Sequence, residues 1–420
     1  MVIESKPKRS LLAWCFYDWA NSAFPTVIIT FVFATYFTQV VANNKVDGMS
    51  SWAWMMSLSA AGVAFLAPIV GSVLNNKGTK KRWLIWLTIL SSLACIALWN
   101  VKGTENYVIL ALVLVGSANI FFEISMIFYN AMLGDLSPPS HVGRWSGWGW
   151  ATGYFGGLIC LGLTLLFFVQ PETPFLSLNK EEYEHLRISG PFVGLWFLIF
   201  SLPLLFWYKE TTLPNTKHHN YINSLNSLSS TFKRIRSYPT IMRFLIARMI
   251  YVDGLNTLFA MGGVYAAGTF GFNFNEIIMF GIVINISAGL GAATFAWADD
   301  ILGSKRVIMA SLCALIILYI TLLIIEDKTS FWILATSLGI FVGPVQSASR
   351  ALLTRITPQP LLTEMFGLYA LSGKATAFLG PAILALTTSL YDSQKVGMAS
   401  ILIFFFLGLF VIKKVDETNS

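Results

Sequence analysis

Apolar residues run through this chain in long, nearly unbroken blocks, each parted from the next by a short polar cluster. The first block, Leu11 to Val41, holds one carboxylate, Asp18, one amide near it, Asn21, and one helix breaker, Pro25. A helix needs roughly 20 apolar residues to cross a bilayer, so this block can span and also tilt or project. The pattern recurs at 52–74, 83–100, 107–132, 145–169, 190–208, 241–268, 275–298, 306–325, 330–353, 363–390 and 396–412, which predicts twelve spans. Only 170–189 and 209–240 are longer connections. Within the second, Asn223 to Ser230 is rich in Ser and Asn, a composition suited to a flexible linker. The expected organisation is a six-helix half over 1–208, a cytoplasmic linker over 209–240 and a second six-helix half over 241–420.

Composition sharpens this picture. Hydrophobic residues make up 55% and charged residues only 12%, against about 25% charged in soluble proteins. Mean hydropathy is +0.67. The expected fold class is all-α, a polytopic membrane protein with the lipid bilayer as its first partner. The net charge of +7 is explained by placement. With the N-terminus inside, the outer connections hold only Lys45, Lys102, Lys180, Arg187, Lys328 and Lys395, and most of the 28 Lys and Arg fall on the inner side. That bias places both termini in the cytoplasm of, most simply, a bacterial inner (plasma) membrane, and it leaves no need for a nucleic-acid partner. Lys6, Lys8 and Arg9 precede an apolar run far longer than a signal-peptide core, so the first helix reads as an uncleaved anchor. Cys15, Cys95, Cys160 and Cys313 show no paired spacing and suggest neither a disulfide framework nor a metal site.

Internal repetition is visible. Shifted by 220 positions, Ala131, Leu133, Pro138 and Gly147 fall on Ala351, Leu353, Pro358 and Gly367. Shifted by 235, Asp18 and Asn21 fall on Asp253 and Asn256. Shifted by 225, Asn75 to Lys81 falls on Asp300 to Arg306. Two parallel six-helix halves are a transporter architecture. The loop after the second span, with Gly71, Asn75, Gly78, Lys80 and Lys81, resembles the loop signature of the major facilitator superfamily, with Asn75 where that family has an acid. Its repeat keeps Asp300, Gly303, Lys305 and Arg306. In that superfamily the acid helps hold the cytoplasmic side closed. Because Asn130 corresponds to Arg350 under the 220 shift, a gate brace between Asp300 and Arg350 is expected, with Asn75 and Asn130 as its neutral counterpart.

Trp14 to Phe37, Tyr129 to Gly157, Asp253 to Ala267 and Gln346 to Pro381, including Phe366-Gly367-Leu368-Tyr369 and Gly380-Pro381, resemble the vacuole-effluxer-like branch of that superfamily. The resemblance implies alternating access; an amino acid leads as substrate because a fungal member is linked to vacuolar amino-acid efflux. Fold alone does not set cargo.

The candidate site is built from polar groups inside spans: Asp18 and Asn21, Asn119 and Glu123, Arg248, Asp253 and Asn256, Gln346, and Lys374. Intramembrane ionisable groups are costly and mark function by default. Asn119 and Glu123 lie four apart and share a helix face, as Asp18 and Asn21 do at three. Opposite charges on facing helices could grip a zwitterion, helped by helix breaks at Pro25 and Gly262-Gly263. Glu123 is the expected proton-coupling group, with a bridge to Lys374 or Arg248 as its structural alternative. Gly149, Gly153 and Gly157 read as a close-packing stripe. No Gly-x-x-x-x-Gly-Lys-Ser/Thr loop occurs, and His141, His185, His218 and His219 all lie in connections. The sequence therefore reads as a non-enzymatic secondary transporter of a small polar solute, with protons as a candidate coupling ion and no cofactor or metal. The alternative is a nutrient sensor or scaffold that kept the fold without transport.

Overall fold

The computed structural model describes residues 8–73, 80–210 and 233–417. Among these, eleven helices are long and apolar enough to cross a membrane. In chain order they begin with α1 (Lys8–Val41), α2 (Lys45–Ser72), α3 (Lys80–Asn100), α4 (Glu105–Leu136), α5 (Pro139–Val169) and α6 (Glu184–Trp207). The second half opens with α7 (Pro239–Phe270), α8 (Glu276–Leu302), α9 (Ser304–Ile324) and α10 (Lys328–Ile356). The span expected at 363–390 is interrupted. It forms α11 (Leu362–Ser372) and α12 (Leu379–Tyr391), joined by turns over 373–378. Pro381 falls in the first turn of α12, where its missing N–H costs nothing, and it could not continue a helix arriving from Ser372 without clashing with the preceding turn. The last helix is α13 (Gln394–Ile412).

The other expected breaks divide. In α1, Pro25 opens the helix into wider π-type turns over Phe24–Phe31 and again over Phe37–Val41. Hydroxyls also bond carbonyls there: Thr26 donates to Ser22 O at 2.8 Å, alongside its own N–H at 3.3 Å, and Thr30 donates to Pro25 O at 2.8 Å. Gly262-Gly263, by contrast, lies inside unbroken α7. A glycine removes no backbone hydrogen bond, and Ile277 of α8 packs against Gly263.

Small residues set the tightest helix crossings. The α5 stripe packs on α1, where a Cβ at Gly153 would meet Ser22 Oγ at 2.7 Å and one at Gly157 would meet Thr26 Oγ1 at 2.6 Å. Between α8 and α10 the backbones themselves touch: a Cβ at Gly291 would lie 1.8 Å from the Ile340 carbonyl oxygen. Gly291→Ala is therefore expected to destabilise the protein by about 1–3 kcal/mol, the usual cost of overpacking. A thermal melt in detergent that matches the wild type would remove this contact from the account.

One end of the bundle, here the basal face, carries the start of α1 and the ends of α4 and α10. There the repeat becomes a charge pattern. Glu210 follows α6 and accepts the Lys80 N–H at the start of α3 at 2.8 Å. Glu417 follows α13 and accepts the Ser304 and Lys305 N–H groups at the start of α9 at 2.7 and 3.0 Å. Both satisfy orphan donors of a helix N-terminus. Burial pushes the Glu210 carboxyl up, and the bond from the Lys80 backbone offsets this only in part. Lys80 pairs with Asp135 at 2.8 Å. In the second half Arg355 occupies the position equivalent to Asp135 and pairs with Asp299 at 2.6 Å and Asp300 at 3.2 Å. A brace thus recurs at the ends of α4 and α10, with the acid supplied by α4 and the base by α10, and with non-equivalent partners. Gly303 makes the α8–α9 turn at φ +92°, a conformation that favours glycine. Asn75 and Gly78 lie outside the described residues.

Candidate functional site

The expected bond between Asp300 and Arg350 is not made. Asp300 faces Arg355 and Arg144, accepting the Arg144 N–H at 3.1 Å. Arg350, on α10, instead reaches into the other half. Its guanidinium donates to Asp18 Oδ2 at 3.0 Å, Asn130 Oδ1 at 3.2 Å, Ser146 Oγ at 2.9 Å and Ser146 O at 2.7 Å. Rings of Trp14, Tyr129 and Trp150 lie 4.5, 5.7 and 5.8 Å from its central carbon. Arginine suits this pocket because its planar fork satisfies several acceptors at once and stacks on aromatic faces. Trp14 and Tyr129 hold the cage rigid: their rings stack at 4.5 Å, and each side chain donates to the other's backbone carbonyl. Asn21 supports Asp18 Oδ1 at 3.3 Å. Gly149 leaves the room, since a Cβ there would meet Asp18, Trp14 and Arg350 within 2.8 Å. The side chains of Arg350 and Asp18 are 2% and 8% exposed, so this is a dry ion pair joining the two halves.

Arg350 is also the floor of a cavity between the halves. Its walls include Met126, Asn130 and Trp150 from the first half and Arg248, Asn256, Phe259, Gln346, Ser349 and Tyr369 from the second. It continues into a space of about 230 Å³ lined also by Glu123, Phe366 and Lys374. That is the volume of several water molecules, each occupying about 30 Å³ in the liquid, and it suits a small solute. Glu123 and Lys374 meet across it at 2.7 Å. This is the bridge expected as the structural alternative to a coupling role for Glu123. Arg248 lies beside the start of the link that carries Lys374, close to Gly373, with its guanidinium 3.4 Å from the centre of the Tyr369 ring. It donates to Tyr369 O and Ser372 Oγ, both at 2.7 Å. No carboxylate pairs with it among the described residues.

Of the expected site residues, the cavity thus collects Glu123, Arg248, Asn256, Gln346 and Lys374, together with the gate residues Asn130 and Arg350. Four lie elsewhere. Asn119 is buried and donates to Ser59 on α2 at 2.9 Å, a helix-to-helix bond. Asp18 and Asn21 serve the Arg350 pocket. Asp253 is buried under the start of α12, where its Oδ1 faces the Gly380 N–H at 3.4 Å. Sequence reasoning did not single out Tyr369, Trp150, Ser146 or Arg355. Tyr369 stood inside a quoted motif and Trp150 beside the glycine stripe, and Arg355 stood opposite Asp135 at the same 220 offset.

All hydrogen bonds and ion pairs between the halves, among the described residues, lie at the basal face or at cavity depth. They include Ser146 to Ser347 O, Arg355 to Pro139 O, Gln359 to Gly134 O, Gln346 to Tyr154 and Glu123 to Lys374. At the same face α2 and α11 cross closely, with a Cβ at Gly71 only 2.8 Å from Thr363 O. Polar contacts between the halves thus concentrate at the basal face and around Arg350.

A family model described as "Vacuole effluxer Atg22 like" matches residues 38–143 and 140–420. The uncharacterized MFS-type transporter YxiO of Bacillus subtilis is 26% identical over 413 residues, covering 97% of this chain and 95% of that protein. Autophagy-related protein 22 of Kluyveromyces lactis is 24% identical over 363 residues, 78% of this chain and 70% of that one. Among solved structures, the major facilitator transporter FucP in its outward conformation superposes with a TM-score of 0.74 at 15% identity over 98% of this chain and 99% of that one. A bacterial homologue of the iron transporter ferroportin, in an outward-facing state, gives 0.71 at 15% over 97% and 98%. Both establish the major facilitator fold.

Proposed function

This chain belongs to the vacuole effluxer Atg22-like family, and on that premise we propose that it is a secondary active transporter that moves a small zwitterion, an amino acid being the leading case, by alternating access. One observation carries the substrate reading. A compensated pair, Glu123–Lys374, and a cation with no carboxylate partner among the described residues, Arg248, line the same cavity. A carboxylate entering the cavity finds in Arg248 a planar donor already aligned by Tyr369 and Ser372. An ammonium group can then displace Lys374 from Glu123. Met126, Phe259 and Phe366 leave room for an apolar side chain between the two ends.

Access follows from the contacts. Lys and Arg are concentrated toward the basal face, which argues that it is cytoplasmic, and a Bacillus relative favours a bacterial plasma membrane. The conformation then faces outward, and release inward requires Arg350 to leave the Asp18 pocket.

Counterflow in proteoliposomes tests the substrate. Vesicles loaded with unlabelled neutral amino acids should take up the labelled forms at least roughly tenfold faster than empty vesicles. Methyl esters of the same amino acids, which lack the carboxylate, should not compete. Competition by uncharged sugars with none by amino acids would overturn the zwitterion reading. Binding without flux would turn the protein into a sensor.

A further inference from the structure

Asp18 and Asp253 are equivalents in the two halves, yet their surroundings differ. Asp18 has Arg350 at 3.0 Å. Asp253 is 2% exposed and pairs with no basic side chain among the described residues. Its Oδ1 meets the Gly380 N–H at the limit of hydrogen bonding, and its Oδ2 meets no donor. The neighbouring Thr257 hydroxyl is turned away, donating to the Asp253 backbone carbonyl at 2.8 Å.

The elements packed around it bring no compensating charge. From α12 comes Gly380, where a Cβ would meet both Thr257 Oγ1 and Asp253 Oδ1. From α13 come Phe404 and Phe405, against Gly254. The charged groups of the neighbouring cavity, and Tyr251, are engaged elsewhere. Arg248, on the same helix, is held by Tyr369 and Ser372. Tyr251 bonds Ser349 on α10 at 2.6 Å. Lys374, in the link to α12, pairs with Glu123, and Arg350 of α10 pairs with Asp18. A bare carboxylate in such a place loses far more hydration than one long backbone bond returns.

We propose that Asp253 is the coupling-ion site of this transporter, that the ion is a proton, and that in the present conformation the proton sits on Oδ2. This rests on the transporter reading. The adjoining break supplies the switch. The link at 373–378 lets α12 move off α7 independently of α11, which admits water to Asp253. There the carboxylic acid gives its proton to water, leaving carboxylate and hydronium. An ionised Asp253 cannot re-enter the dry contact beneath Gly380 and Phe405, so return to this conformation requires a hydronium on the other side to restore the acid and leave water. One proton then accompanies each cycle. An alkali ion would need a shell of oxygen ligands, whereas the group facing Asp253 Oδ1 here is a donor, the Gly380 N–H.

Two measurements on the full chain test this. In nanodiscs at neutral pH, infrared difference spectra should show a protonated-carboxyl stretch in wild type and in Glu123→Gln that is missing in Asp253→Asn. Absence of the band from wild type, or its persistence in Asp253→Asn, overturns the proposal. In proteoliposomes with labelled neutral amino acids, Asp253→Asn should keep counterflow within about twofold while accumulation driven by a pH gradient falls at least roughly tenfold, and proton entry read by a trapped dye disappears. Unchanged accumulation, equal loss of counterflow, or drive by sodium in wild type overturns it as well. Failure of wild type to exchange any amino acid sinks the amino-acid reading instead, and the infrared result still decides the proton.

Discussion

Arg350→Ala is expected to lower the stability of the protein by about 3–5 kcal/mol, the cost of leaving one charge of a dry pair unpaired, and to open its basal face. The size follows from burial. Asp18 would keep the 3.3 Å bond from Asn21 and the neighbouring Tyr129 hydroxyl, neither of them a charge, and the Trp14–Tyr129–Trp150 cage would lose its occupant. Arg350→Lys should fall between, because an ammonium cannot reach Asp18, Asn130 and both oxygens of Ser146 together. Neutralising both partners, as Asp18→Asn with Arg350→Gln, should recover much of the stability without restoring the closed state. Spin labels at Ser140 and Arg306, on opposite halves of this face, report the second effect. Their distance distribution should broaden toward longer separations in Arg350→Ala. An unchanged melt together with an unchanged distribution would mean that Arg350 only packs.

The second large effect is expected in transport and not in stability. Glu123 and Lys374 are 23% and 29% exposed, so breaking their pair should cost about 1 kcal/mol or less. Glu123→Gln and Lys374→Ala should therefore melt close to wild type. Exchange of amino acids should nevertheless fall at least roughly tenfold in each, because the surviving charge is left facing the cavity and the ammonium site is lost. The charge-exchanged double variant, Glu123→Lys with Lys374→Glu, should regain part of that loss. Normal exchange by either single variant would show that the pair braces α4 against the link before α12 and does not touch the solute.

The contrast between these two pairs shows what the sequence could carry. Spans were legible because a bilayer admits only closed hydrogen-bonded elements, so apolar length translates directly into helices. The interruption of the eleventh span was legible only in part: Gly380-Pro381 reads as a kink, but hydropathy counts Gly373 as an ordinary member of an apolar run. Intramembrane charge singled out Glu123, Arg248, Lys374 and Asp18. Which of them share a cavity depends on helix rotation and on partners far away in the chain. Arg350 meets Asp18 across 332 positions of sequence. The repeat held more than was drawn from it: the offset that matches Asn130 with Arg350 also matches Asp135 with Arg355, and that second pair forms the braces at the ends of α4 and α10. Aromatic residues such as Trp150 and Tyr369 were hidden because rings are common at lipid interfaces, and nothing local separates a lipid anchor from a cavity wall.

The account turns on one cavity, shut at the basal face by Arg350 and open on the other. Asn256 lines it, and only Cys313 among the native cysteines is exposed. The most direct measurement is the labelling of Asn256→Cys, in a Cys313→Ser background, by a membrane-impermeant maleimide applied to one side of the bilayer at a time. Labelling should come from the side opposite the basal face, and adding Arg350→Ala should open the basal route. Labelling from neither side, or equally from the basal side with Arg350 in place, would contradict it.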